Sequence, residues 1–209
     1  MARPVFGRTL SVRGYDCTDT PPATIEPVFA REPLLHGVTE ISEPFAGAGW
    51  LVTAMRAKGL TVHAADIFPR GCSDCATCDF FDLRDAPCET LLSNPPYRST
   101  EPALEHAWKV GYRTVILLLR MTFLSSVQRY ETVHKSGRLA RVFTLAERVN
   151  MHDAHYKGPK ASQSQTHAWF VFDASHYGPA VIVPASINNP AERMPWERPA
   201  LLRLVQAAQ

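Results

Sequence analysis

The stretch Ser93-Asn94-Pro95-Pro96-Tyr97 follows directly on the apolar pair Leu91 and Leu92 and sets several chemically distinct groups in a row. An amine conjugated with an aromatic ring is a poor nucleophile, because its lone pair is delocalised into the ring. Two acceptors on one side, the Asn94 side-chain oxygen and the Pro95 carbonyl, would each take an N–H, draw the nitrogen towards tetrahedral geometry and restore the lone pair. Pro95 and Pro96 fix the backbone so that this carbonyl projects outward, and Tyr97 offers a face on which a flipped base can stack. The chemistry is substitution at an amino group, and no strong general base is required: once substituted, the amine gives its proton to solvent. The bland reading is a proline turn in a chain with 17 prolines.

A second constellation lies upstream. Glu43-Pro44-Phe45-Ala46-Gly47-Ala48-Gly49 separates an apolar run from the run Trp50, Leu51, Val52, Ala54, Met55, as a turn between strand and helix would, where α/β folds bind nucleotides. The loop lacks the third glycine of a dinucleotide fingerprint and the Gly-Lys-Ser/Thr of a phosphate loop. About twenty residues on, Asp66 closes the next apolar run, where a carboxylate can accept both ribose hydroxyls. Ile67 follows it, and Asp79 with Phe80 could take an adenine amino group and its ring. Glycines, ribose carboxylate and adenine contacts in that order suit an adenosine without a pyrophosphate, and S-adenosylmethionine is such a ligand. Taken singly, the glycines read as a turn, and Asp66 and Asp79 as a helix cap and a turn residue.

Together these stretches resemble the class I S-adenosylmethionine-dependent methyltransferases that act on amino groups. The order Tyr15-Asp16-Cys17-Thr18-Asp19-Thr20-Pro21-Pro22, the glycine loop, Ala65-Asp66-Ile67, Asp79-Phe80-Phe81-Asp82-Leu83, Asn94 to Tyr97 and His167 to Asp173 is more narrowly similar to the small adenine-N6 DNA methyltransferases of phages and prophages. The resemblance spans roughly residues 15–173. It implies that Tyr15 and Thr20 help close the cofactor pocket, that Glu43, Phe45, Ala46, Gly47, Gly49, Asp66, Ile67, Asp79, Phe80 and Asn94 bind S-adenosylmethionine, and that Asn94, Pro95, Pro96 and Tyr97 carry catalysis on DNA.

The elements that must position these groups alternate. Residues 38–44, 60–67, 89–96 and 113–120 read as strands, the last apolar enough to be buried on both faces. Helices are expected over 49–58, 101–110 and 123–137, each closing at a glycine, Gly59, Gly111 or Gly137. Residues 141–149 and 166–173 are strand-like with no convincing helix between, which predicts an antiparallel pair ending an otherwise parallel sheet with helices on both faces, a Rossmann-like fold. Residues 1–36 read as an arm with a short helix around 22–35 that contributes to the cofactor pocket, 37–175 as the methyltransferase domain, and 176–209 as an extension.

At 209 residues, 45% hydrophobic and 20% charged, the chain is long enough for a substantial core. A net charge of +2 restricts any nucleic-acid binding to a local patch. No apolar run is long enough for a membrane span and the N-terminus has no signal-peptide pattern, so the expected compartment is the cytoplasm, with no membrane partner. Five cysteines without a signal peptide are expected to be reduced thiols. Cys72, Cys75 and Cys78, with Cys88 beyond, have metal-ligand spacing but lack a second paired motif, and no metal is expected. The His152/His155 pair and His167 read as structural residues beside the substrate cleft. The polar loop 150–165 with Lys157 and Lys160, and Arg120, Arg129, Arg138, Arg141 and Arg148, offer phosphate contacts or simply a solvated face. Without a long recognition segment, any DNA site read should be short or degenerate. Three other substrates or roles stay open: a glutamine side chain in a protein, whose NH₂ presents the same two N–H groups; an RNA base; and a catalytically silent cofactor-binding or DNA-binding accessory protein.

Overall fold

The computed structural model describes residues 18–149, 152–153 and 166–194. Tyr15, His155, Lys157 and Lys160 lie outside the described residues, as does most of the polar loop.

Chain order begins with a two-residue strand β1 (Thr18–Asp19), a 3-10 turn at Pro22–Ile25, α1 (Glu26–Arg31) and a second 3-10 turn at Pro33–Leu35. There follow β2 (Glu40–Glu43), α2 (Trp50–Ala57), β3 (Thr61–Asp66), β4 (Ala76–Thr77), β5 (Thr90–Ser93), α3 (Thr100–Val110) and β6 (Thr114–Arg120). The last third comprises the single turn α4 (Val127–Arg129), β7 (Leu139–Leu145), β8 (His152–Asp153), β9 (His167–Asp173) and β10 (Val181–Ala185). Eight strands form one sheet in the order β10-β7-β9-β6-β5-β2-β3-β4. All neighbours are parallel except β9, which lies antiparallel between β6 and β7. The expected parallel sheet ending in an antiparallel pair is therefore present, with β10 added in parallel beyond it.

Burial follows the pleat. Every residue of β6 from Thr114 to Leu119 is buried; Val115, Leu117 and Leu119 pack with the α3 residues Ala103, Leu104 and Ala107 on one face. Ile116 and Leu118 face the other way, against Ile25, Val28, Leu51 and Met55 of the first turns and α2. Such a continuous apolar run is what a strand covered on both faces requires. In α2 the buried Leu51, Val52 and Met55 share one side. Gly111, at φ 105°, ends α3 in the left-handed conformation that only glycine adopts without strain. The segment before β2 is bound to the far edge of the sheet: fully buried Glu32 accepts two 2.6 Å hydrogen bonds from Arg141 of β7, and Trp169 Nε1 of β9 donates to the Thr24 carbonyl at 2.7 Å.

One expected helix is not formed. Residues 123–137 divide into a 3-10 turn (Met121–Leu124), α4 and a π-turn (Tyr130–His134). Val127 and Tyr130 are exposed, and the two buried residues, Phe123 and Val133, stand ten positions apart, so no continuous apolar stripe holds a long helix. Ser126 restarts the chain by accepting from Arg129 N through its side chain at 3.1 Å. The cysteines differ as well. Instead of thiols throughout, Cys72 and Cys75 form a disulfide with their Cα atoms 5.6 Å apart, while Cys78 and Cys88 are free. The tight turn through Asp74, at φ 62°, brings the pair within bonding range.

Candidate functional site

The strand order reverses between β2 and β5: from β2 the sheet grows outward through β3 and β4, and from β5 the other way through β6. The carboxyl ends of strands at such a reversal form a crevice. Glu43 ends β2, Asp66 ends β3 and Asn94 follows the last residue of β5, so the two constellations found about 50 residues apart in sequence converge on one rim.

The glycine loop is built as a turn against this rim. Gly47 and Gly49 both have positive φ, 54° and 83°. Ala46 N donates to the Ala65 carbonyl at 2.9 Å, and Gly47 N donates to Asp66 Oδ2, also at 2.9 Å. The other Asp66 oxygen accepts from Phe68 N at 3.0 Å and lies 3.5 Å from Arg70 Nε. An ionised carboxylate has about four acceptor sites, so Asp66 holds the loop and keeps capacity for a further donor. At Gly49 a side chain would collide with Cys72, whose Sγ lies 3.0 Å from where a Cβ would stand. The disulfide turn thus closes over the loop.

Glu43 is fully buried. One oxygen accepts from Phe45 N at 3.1 Å and from Ser93 Oγ at 2.6 Å; Oε2 has no hydrogen-bond partner. Burial, with Asp66 adding a smaller push in the same direction, raises its pKa to about 8. Burial therefore favours the protonated form of Glu43 at neutral pH. Because the folded pKa lies above the ordinary value of 4.5, folding takes up a proton between about pH 4.5 and 8, and Glu43 makes stability fall as pH rises through that window. Full ionisation difference corresponds to about 1.4 kcal/mol per pH unit. Glu43→Gln should abolish that component: urea unfolding at about pH 5 and about pH 8 should show the variant gaining stability relative to wild type at the higher pH.

The adenine candidates divide. Asp79 caps the 3-10 turn Phe80–Asp82 by accepting from Phe81 N at 3.0 Å. Phe80 is buried, its ring 5.1 Å from both Phe45 and His106. A cleft of ≈390 Å³ along β3 is lined by Ser42, Val62, Ala64, Cys78, Phe80 and Tyr112 among others; of the expected cofactor residues only Phe80 borders it, so it does not mark the cofactor site. Ile67 is half-buried directly after β3.

At the other end of the rim, Asn94 Nδ2 donates to Thr20 Oγ1 at 2.9 Å. This bond ties the Asn94 amide to Thr20, 74 residues upstream. Buried Pro95 and half-buried Pro96 follow; the Pro96 carbonyl accepts from Ser99 N at 2.8 Å. Tyr97 is held from two sides that no local pattern signals. Its hydroxyl shares a 2.8 Å hydrogen bond with His167 Nε2, and the Arg120 guanidinium lies 4.4 Å from the centre of its ring. Arg120 and His167 are opposed residues of β6 and β9. Burial, and then the Arg120 charge, lower the His167 pKa, so the ring is neutral at pH 7. His167 thus belongs to the site rather than to the packing beside it.

Among the described residues, no group of three or more histidine, cysteine or acidic side chains is placed to hold a metal ion, and no helix is long and apolar enough to cross a membrane.

No family model matches the sequence, and no curated protein matches it. Solved structures do. A protein from Pyrococcus horikoshii, provisionally described as an RNA methyltransferase, superposes with a TM-score of 0.58 at 14% identity, over 76% of this chain and 87% of its own. The methyltransferase subunit of a type I restriction-modification system from Streptococcus thermophilus gives 0.55 at 12% identity over 91% of this chain, which spans about half of that subunit (52%). An N1-methyltransferase of 1,6-didemethyltoxoflavin from Burkholderia thailandensis, solved with S-adenosylhomocysteine, gives 0.50 at 10% identity, covering 74% of this chain and 79% of its own. The chain has the Rossmann-like methyltransferase fold.

Proposed function

We propose that the protein is an S-adenosylmethionine-dependent methyltransferase acting on an exocyclic amino group, most specifically N6 of adenine in DNA presented as a flipped base. The observation that carries this reading is the convergence of the glycine loop, Asp66 and Asn94 to Tyr97 on one rim at the strand-order reversal. The residues present fit the cofactor: the Gly47 and Gly49 turn permits close backbone approach, Asp66 retains acceptor capacity for ribose hydroxyls, and the orphaned Glu43 O–H supplies a buried donor where the described chain offers no partner. In this reading Ile67, Asp79, Phe80 and Phe45 hold the adenine end, and Thr20 closes the pocket from the N-terminal side, a role the resemblance also gives Tyr15. When bound, the cofactor supplies an electrophilic methyl group.

The chain's own groups prepare the amine. Asn94 accepts one N–H through Oδ1, the end opposite the one anchored by Thr20, and the Pro95 carbonyl accepts the other. Pro96 stiffens the turn, and Tyr97, braced by Arg120 and His167, stacks on the extruded base. His167, neutral and bound to Tyr97, positions that ring and takes no proton from the amine.

Purified protein supplied with methyl-labelled S-adenosylmethionine should label unmethylated duplex DNA and keep doing so in chelator. Label in protein alone would transfer the reading to a glutamine side chain, label in RNA alone to an RNA base, and label in none of them to an accessory protein.

A further inference from the structure

Two side-chain nitrogens beside Tyr97 are left without a hydrogen-bond partner. Arg120 Nε and His167 Nδ1 are both buried and have no hydrogen-bond partner, and His167 as a whole is 5% exposed. No carboxylate lies within ion-pair distance of Arg120 among the described residues; its charge is met only by the π face of Tyr97. Other described arginines meet their carboxylates elsewhere, Arg70 on Asp66, Arg129 on Glu101 and Arg141 on Glu32. A partly buried cation without a counter-charge, next to an imidazole with an unpartnered buried nitrogen, is costly unless an anion completes it. The depressed His167 pKa reflects burial and that same uncompensated charge.

Tyr97 ties the pair to the chemistry. The ring proposed to stack on the target base is held by both residues, so an anion bound there would lie beside the nucleotide that Tyr97 carries. The anion that a nucleotide carries beside its base is its own phosphodiester. Arginine suits it, since the planar guanidinium pairs with phosphate oxygens while its face remains on an aromatic ring.

We propose that Arg120 and His167 form a phosphodiester subsite in which the Tyr97 O–H donates to His167 Nε2, leaving the proton on Nδ1, so that Arg120 pairs with and His167 Nδ1–H donates to the backbone oxygens of the target nucleotide. The inference rests on the nucleic-acid reading above. It distinguishes a polyanionic substrate from a protein glutamine, which has no charge to place there.

The test is the salt dependence of duplex binding, read by fluorescence anisotropy of a labelled oligonucleotide from roughly 50 to 300 mM KCl. Each neutralised phosphate contributes about 0.9 to the slope of log K against log salt. Arg120→Gln should make the slope shallower by about one and weaken binding, Arg120→Lys should keep the slope, and Arg113→Gln, exposed at the opposite end of β6, should match wild type. An unchanged slope in Arg120→Gln, even with methyl transfer lost, would overturn the subsite and leave Arg120 only as a brace for Tyr97. A second measurement uses wild-type protein: duplex DNA should shield Arg120 from phenylglyoxal, read by peptide mass spectrometry, and equal modification with and without DNA would count against the subsite. If wild type neither binds nor methylates nucleic acid, the functional reading itself fails, an outcome distinct from an unchanged slope in a DNA-methylating enzyme.

Discussion

Replacing Asn94 with alanine is expected to cut methyl transfer by roughly 10²–10³, the usual loss when one preorganised group that acts only on the reacting centre is removed, while cofactor affinity changes little. Asn94 is tethered to Thr20 at 2.9 Å, so its side chain is held in place before substrate arrives. Alanine removes one of the two acceptors that reshape the amine and leaves the Pro95 carbonyl alone to do so. The prediction separates catalysis from binding: kcat should fall far more than the cofactor Kd rises. A comparable loss of both would make the cofactor contact that the resemblance also gives Asn94 its main role, and not the amine. Thr20→Val gives a graded form of the same test, since it removes the hydrogen bond to Asn94 while keeping the side-chain volume that closes the pocket.

Asp66→Ala should weaken S-adenosylmethionine binding by about 100-fold or more, because hydrogen bonds to a charged acceptor are worth roughly 1.5–3 kcal/mol each and a ribose offers two. The same change releases Gly47 N and Phe68 N from their acceptors, so part of the loss comes from loosening the glycine loop. Asp66→Asn, which keeps one oxygen for the loop, should lie between alanine and wild type. Calorimetry of the three proteins reads this directly, and equal affinities would mean that the cofactor sits elsewhere.

Much of this arrangement is legible in the amino-acid sequence itself. The alternation of strands and helices from 38 to 120 is carried by apolar runs and by glycines at their ends, signals that depend on neighbours a few residues apart. β6 declares itself by being apolar throughout. The segment 123–137 defeats the same reading because a plausible helical composition has no stripe to bury; exposed Val127 and Tyr130 decide the matter in three dimensions. The β10 strand is hidden by Pro184, tolerated because the strand lies at the sheet edge.

Within the site, what local spacing encodes is readable and what the fold assembles is not. Glu43, Gly47, Gly49, Asp66 and Asn94 stand at strand ends or in the turn that follows one, and such positions are visible in sequence. The brace on Tyr97 joins residues 70 positions apart through β9, which the antiparallel insertion sets beside β6. His167 stands out in the sequence only as a member of a histidine-rich stretch, and spacing does not reveal the tyrosine that gives it a role. The Glu43 protonation state likewise depends on complete burial, which its acidic side chain argues against.

The most direct measurement is nucleoside mass spectrometry, with modification-sensitive long-read sequencing, on DNA from a methylation-deficient host expressing the protein. N6-methyladenine should appear at a short or degenerate site, and should be absent from a host expressing Asn94→Ala. N4-methylcytosine, a long strictly read site, or unmodified DNA from a host containing folded, cofactor-bound protein would contradict it.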